Sequence, residues 1–201
     1  MATVTTKIGP TDHDRPMLLE EFEAADFEEG YKYELINGRL YVTYEADPPE
    51  DWLEKWLWGK LYRYSLKRPA VINYVSNKTR VFVPSRTVDT VPEPDLAAYH
   101  NYPIHLPLRR IRWRNVSPLL VGEILSPNDP HKDLIRNVQL YLQVPSIKEY
   151  WLVDGREDAD RPAMRVHRRH GKRWQVIDLG YKDVYTTKLL PGSRLVIDPR
   201  S

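Results

Sequence analysis

Residues 118–154, PLLVGEILSPNDPHKDLIRNVQLYLQVPSIKEYWLVD, constrain the fold of this chain more than any other stretch. LLVGEIL reads as a buried strand, a Pro-broken turn and an amphipathic helix follow, and EYWLVD reads as a second apolar strand. A strand, helix, strand unit of this kind sets its two strands in one mixed sheet through a right-handed crossover. Glu123 stands inside the first strand, which is too apolar to face water on either side. An unpaired buried charge is costly, so a cation or a hydrogen-bond donor has to lie beside it.

A chain of 201 residues that is 41% hydrophobic can bury one core. The expectation is a single domain over residues 17–201, preceded by a loose polar arm over residues 1–16. With 30 basic and 28 acidic residues the net charge is +2, so any contact with nucleic acid must come from local patches. The absence of cysteine excludes disulfides, thiol nucleophiles and thiolate metal sites. No apolar run nears the roughly 18 residues of a membrane span, and the N-terminus lacks a signal-peptide core. A cytoplasmic protein with no membrane partner is expected.

Along the chain, Leu18, Leu19, Phe22 and Phe27 have helical spacing with Gly30 as a stop, which predicts a short helix. YKYELINGRLYVTYE alternates around Asn37-Gly38, the dipeptide suited to a type I′ turn. The resulting hairpin sets Ile36 opposite Arg39, Leu35 opposite Leu40 and Glu34 opposite Tyr41, with Glu34 half-buried on the face of Ile36. Asp47 followed by Pro48 starts a helix to about residue 68, buried along Trp52, Leu53, Trp56, Leu57, Leu61 and Tyr64. These aromatics read as a core stripe rather than a base-stacking surface. VINYVSNKTRVFVP reads as two strands or one bent strand, and Asp95 enters a further strand after Pro94. A long connection over residues 101–117 carries Arg109, Arg110, Arg112 and Arg114. AMRVHRR and RWQVIDLG form a meander about His170-Gly171, and LLPGSRLVID reads as an edge extension of the sheet.

Asp95 and Glu123 each lie on a predicted strand. If those strands are neighbours, the two carboxylates meet and can hold a hard divalent cation such as Mg²⁺, with Glu34 joining them. Such an ion polarises a phosphoryl oxygen and activates water. The competing reading makes Asp95 a turn cap and pairs Glu123 with an arginine. On the crossover helix, capped by Asp129-Pro130, the stripe Leu134, Val138, Tyr141 and Leu142 is expected to be buried. Asp133, Asn137 and Tyr141 line up on another face at i, i+4 and i+8.

The ordered set YELINGRL, Pro94-Asp95, VGEILSP, Asp133 and EYWLVD resembles the Uma-type family of restriction endonucleases, a branch of the PD-(D/E)XK nuclease superfamily. The resemblance covers roughly residues 17–198. It implies an α/β, restriction-endonuclease-like fold: a central mixed sheet flanked by helices, with an N-terminal hairpin and a C-terminal meander. It further implies DNA as substrate, Mg²⁺ or Mn²⁺ held by Asp95 and Glu123, and Glu34 near the metal. A homodimer is a further expectation, since both strands of a duplex must be cut.

The motif's lysine is missing from this sequence. Two residues after Glu123 stands Leu125, and four after Asp133, where the family carries lysine, stands Asn137. Asn donates hydrogen bonds but has no charge. Lys132 or Arg136 can substitute, the metal can suffice alone, or cleavage has been lost; the plain reading of Lys132 is a solvated surface lysine. For phosphate contact, RRIRWR at 109–114 is the candidate, with Trp113 available to stack, and a solvated charged loop is its equal rival. RVHRRHGKR at 165–173 reads as a solvated hairpin, and His131 as a turn residue.

Overall fold

The computed structural model describes residues 7–84, 87–127 and 130–201. In order, the chain forms α1 (Leu19–Ala24), β1 (Tyr31–Ile36), β2 (Arg39–Tyr44), α2 (Pro48–Lys67), β3 (Tyr74–Ser76), β4 (Leu96–Tyr99) and β5 (Leu120–Ile124). A π-helical turn (Lys132–Arg136) then runs into α3 (Asn137–Leu142). The last elements are β6 (Glu149–Asp154), β7 (Ala163–His170), β8 (Arg173–Leu179), β9 (Val184–Tyr185) and β10 (Leu195–Val196). Six strands share one sheet in the order β3-β4-β5-β6-β7-β8. Its β5–β6 pair is parallel, as the crossover demands, and its other pairs are antiparallel. None of the described helices is long and apolar enough to cross a membrane.

The hairpin has the expected register, with Ile36, Leu35 and Glu34 facing Arg39, Leu40 and Tyr41. Asn37 and Gly38 both take positive φ, 50° and 69°, as a type I′ turn requires. It forms its own two-stranded sheet and touches the segment before β4 through a bridge between Leu35 and Val91.

Period-two alternation divides the core. Leu96, Ala98, Leu120, Ile124, Trp151 and Val153 pack under α2 with Leu53, Trp56, Leu57 and Leu61. Ala97, Tyr99, Val121, Tyr150 and Leu152 pack on the other face against Leu140, Tyr141, Val144 and Ile147. That parity turns Glu123 toward α3. Between the two layers β4 and β5 sit close: a Cβ at Gly122 would lie 2.9 Å from Leu96 Cδ1.

Several expectations need correction. The first helix ends at Ala24 because Phe27 is extended and bridged to Ile8. The same pairing (Ile8 N–H to Asp26 O, 2.9 Å), with Asp14 N–H to Leu40 O at 2.7 Å, docks residues 7–16 onto the hairpin, so that part of the expected arm is not loose. In α2, Trp52 lies outside the buried stripe at 52% exposed, under the Arg200 guanidinium. After β3, residues 81–83 run beside 90–92 through two backbone bonds rather than as a full strand. The C-terminal segment does not extend the sheet: β10 pairs with β9 in a separate two-stranded sheet, drawn in because Tyr185, Leu190, Leu195 and Ile197 fill the α2 core.

The crossover helix departs most. Its buried residues include Lys132, Asp133, Asn137, Leu140 and Tyr141, while Leu134, Val138 and Leu142 are only half-buried. Asn137 N–H donates to Lys132 O, five residues back, and this wider turn brings the consecutive residues Lys132 and Asp133 inward together. The proposed cap at Asp129 lies outside the described residues.

Candidate active site

β4 and β5 are neighbours with Leu96 opposite Gly122, so continuing the register one residue sets Asp95 opposite Glu123. The pair is tied both ways. Asp95 N–H donates to Glu123 Oε2 (3.1 Å), and Ile124 N–H donates to Asp95 Oδ2 (2.7 Å). Glu123 is completely buried, and its Oε1 accepts from Asn137 Nδ2 (3.1 Å) and Tyr141 OH (2.9 Å). The i, i+4, i+8 line of Asp133, Asn137 and Tyr141 therefore faces the sheet and covers Glu123.

Asp95 meets a residue that pattern reading passed over. Lys32 Nζ lies 2.5 Å from Asp95 Oδ1, carried there by β1 from the hairpin sheet. Lys32 shares a strand face with Glu34 and Ile36, so the period-two signal that drew attention to Glu34 applied equally to it. Glu34 is 1% exposed and engaged on both oxygens, by Glu93 N–H (2.9 Å) and Arg136 (2.7 Å), with Lys132 Nζ at 3.9 Å. Lys132 is not the solvated lysine expected. It is 9% exposed, and its Nζ is 3.9 Å from Asp133 as well. Arg136 also lies over the Tyr41 ring.

Four acids and three cations thus share one buried region, and they do not titrate alike. Burial pushes the Glu34 carboxyl up, but Lys132, Arg136 and Lys32 outweigh it and hold it at about 2. Asp95 is likewise lowered, by Lys32 and Lys132 against the opposing burial. Glu123 goes the other way, raised well above the carboxylate range by burial and by the charges of Asp133 and Asp95. Burial, with Asp95 adding to it, raises Asp133 to about 6. On α2, Glu54 is raised to about 7 by burial and by Asp95.

A pocket of about 80 Å³ opens onto this cluster, bordered by Lys32, Glu54, Asp95, Ser126, Lys132 and Asp133. At about 30 Å³ per water, that is room for roughly two or three waters. Among the described residues no three Asp, Glu or His side chains stand close enough to share one metal. The expected third ligand, Glu34, is not in such a group because Arg136 and Glu93 N–H hold it. Asp95 borders the pocket and Glu123, tied to it, is buried behind without bordering it; two carboxylates are as many as Mg²⁺ needs, since it binds through one or two and keeps several waters for a phosphate to replace. Asn137, at the expected lysine position, is fully buried on Glu123 and Asp133 and does not border the pocket.

The arginine loop lies elsewhere. It leaves β4 after Tyr99, four residues or about 13 Å of strand beyond Asp95. None of Arg109, Arg110, Arg112 and Arg114 borders the carboxylate pocket. All four are exposed, and Arg114 is paired with Glu23 of α1. Trp113 is half-buried against Tyr99 and Tyr102, so its ring is committed to packing. In the second basic cluster, Arg169 is not solvated but donates to the carbonyls of Tyr141, Leu142, Val144 and Ile147, closing the end of α3.

The fold has relatives. A solved protein from Anabaena variabilis ATCC 29413, titled a putative nuclease belonging to DUF820, superposes with a TM-score of 0.66 at 18% identity, covering 90% of this chain and 96% of that one. At that identity the likeness establishes the fold. No curated protein matches. The family model Uma2, described as "Putative restriction endonuclease", matches residues 19–197. The chain therefore belongs to the Uma2 family of putative restriction endonucleases.

Proposed function

We propose that this chain is a metal-dependent endonuclease that hydrolyses DNA phosphodiester bonds at the pocket beside Asp95 and Glu123. The observation that carries the reading is the mutual tie of these two carboxylates, one at the entry to β4 and one on β5, buried next to two lysines that border the pocket. Mg²⁺ or Mn²⁺ held by Asp95 and Glu123 would polarise the phosphoryl oxygen and lower the pKa of a water. The chain's own groups do the rest. Asn137 and Tyr141 fix the rotamer of Glu123, and the Ile124 N–H fixes that of Asp95, so the pair is positioned before substrate arrives. Lys132 places positive charge where the phosphate gathers negative charge, the part that the motif lysine plays. Glu34 keeps Lys132 and Arg136 charged and in place, acting as a positioning residue rather than as a ligand. The arginines at 109, 110, 112 and 114 contact the DNA backbone away from the cut. One pocket cuts one strand, so cleavage of a duplex calls for a homodimer, and the compartment proposed for it is the cytoplasm.

A second reading keeps the fold and drops the chemistry: a nucleic-acid-binding or assembly module. Asn137 favours it, because an uncharged group stands where lysine is expected and is bonded to Glu123. Incubation with Mn²⁺ and either supercoiled plasmid or single-stranded DNA separates the two. The nuclease reading expects cleavage that Asp95→Ala lowers by about 10³-fold or more, along with loss of Mn²⁺ heat in calorimetry. Mn²⁺ binding without cleavage supports the silent module, and unchanged Mn²⁺ affinity in Asp95→Ala overturns the site itself.

A further inference from the structure

Among the described residues two cations border the pocket, and they are held differently. Lys132 stands 3.9 Å from each of Glu34 and Asp133, deep under the π turn, with 8% of its side chain exposed. Lys32 makes direct contact with Asp95 at 2.5 Å and keeps 22% of its side chain exposed at the mouth. Its ammonium rests against the Asp95 oxygen that is left over after Ile124 N–H has taken the other. A divalent ion drawn to Asp95 competes for that same oxygen. Two cations cannot share it without strong repulsion.

We propose that Lys32 is the resident counter-cation of Asp95, exchanged for the divalent ion when metal binds and then presented to the substrate phosphate. This rests on the metal-dependent reading above. The architecture supports an exchange without refolding. Lys32 belongs to the hairpin and Asp95 to the turn that enters β4 of the six-stranded sheet, so the contact is made between the two sheets rather than within a ladder. A four-carbon stem lets the ammonium swing while β1 stays fixed by its bridge at Leu35 and Val91. The acid two residues along, Glu34, does not recapture it, because Arg136 and Glu93 N–H already occupy both Glu34 oxygens. Released at the pocket mouth, the ammonium meets the place where a phosphate bound to the ion must lie. A second positive charge, beside that of Lys132, is thereby supplied from the hairpin.

The inference predicts opposite signs for binding and cleavage. In calorimetry with Mn²⁺ alone, Lys32→Met binds roughly tenfold tighter than the native protein, because its competitor for Asp95 is gone, while plasmid cleavage falls about 100-fold. Lys32→Arg, which keeps the charge, stays within about threefold of native affinity. Amine acylation of the native protein, read by mass spectrometry, rises at Lys32 when Mn²⁺ is added, and this measurement decides the matter even if Lys32→Met does not fold. Weaker or unchanged Mn²⁺ binding in Lys32→Met, equal shifts in the Met and Arg variants, undiminished cleavage, or Lys32 acylation that Mn²⁺ leaves unchanged or lowers overturns the exchange. If native protein binds Mn²⁺ and Asp95→Ala abolishes that binding, such a result overturns this inference alone. If native protein binds no Mn²⁺, both readings fall.

Discussion

Two glutamates are buried in the central sheet, on adjacent parallel strands but at opposite ends and on opposite faces. Glu149 begins β6 opposite Leu120, and Glu123 stands near the end of β5 opposite Leu152. By exposure they are indistinguishable, at 1% and 0%. Their company differs. Glu149 Oε2 accepts from Trp151 Nε1 (2.8 Å) and Tyr185 OH (3.0 Å), and Oε1 from Thr187 (2.5 Å) and Arg168 (3.3 Å). It has one cation of its own, and its donors from residues 185–187 pin the C-terminal segment to the sheet. Glu123 has neutral donors, shares distant cations with three other acids, and lies beside a pocket. A structural carboxylate is locally neutralised; a carboxylate left short of charge is ready for an added cation. Burial alone does not separate the two.

The sharpest way to break this contrast is to neutralise each glutamate in turn. Glu123→Gln should lower Mn²⁺-dependent cleavage by about 10²–10³-fold or more. Its melting temperature should move by only about 3 °C, since relief of repulsion from Asp95 and Asp133 offsets a poorer match to the Asp95 N–H. Glu149→Leu should do the reverse. Stranding Trp151 Nε1, Tyr185 OH, Thr187 and Arg168 costs about 3 kcal/mol, or roughly 6–12 °C, with Mn²⁺ affinity unchanged while the protein is folded. Loss of cleavage in folded Glu149→Leu would erase the distinction.

A smaller effect sharpens it through pH. Asp133 has its folded pKa raised from 3.8 to about 6, so the folded state holds its proton longer than the unfolded chain does. Its contribution to stability is present below about pH 4 and is lost as pH rises through 6. Glu34 has the opposite sign: lowered from 4.5 to about 2, it stabilises above pH 4.5 and fails as pH falls toward 2. Melts between pH 4 and 7 should show Asp133→Asn gaining on the native protein as pH rises, by at most about 3 kcal/mol at pH 7. An unvarying difference between the two proteins across that range would remove Asp133 from the shared charge cluster.

What the sequence made legible follows the range of the signals. The hairpin register came from a two-residue turn, a short-range signal, whereas the meeting of Asp95 with Glu123, 28 positions apart, was conditional on their strands being neighbours and otherwise only implied by the family resemblance. The face of the crossover helix was misread because 3.6-residue periodicity assumes an unbroken helix, and the π turn shifts Lys132 and Asp133 inward together. Lys32 was missed for a different reason. Nothing local marks a lysine on a half-buried strand as the partner of an aspartate 63 positions away. Docking of the hairpin against the sheet creates that pair, and it is a tertiary fact. Glu149 shows the converse: the apolar-strand argument that singled out Glu123 applied to it as well, and only its donors reveal its role.

The weakest expected effect concerns the arginine loop, which the sequence set between the two acidic strands and the fold carries to their far end. About 13 Å of strand separates Tyr99 from Asp95, and duplex DNA rises about 3.4 Å per base pair, so on the proposed nuclease reading the loop would meet backbone roughly four base pairs from the cut. Contacts there add affinity without touching the reacting phosphate. Arg109→Ala combined with Arg110→Ala should therefore weaken duplex binding uniformly across sequences and reduce the slope of log K against log salt by about 2. Single-turnover cleavage at saturating DNA should stay at the native rate. Arg114→Ala should do less still, because that guanidinium is already paired with Glu23 in an exposed bridge. A cleavage defect that persists at saturation would bring the loop back to the pocket, and it would mean that the two ends of β4 act on one phosphate rather than on different parts of the same backbone.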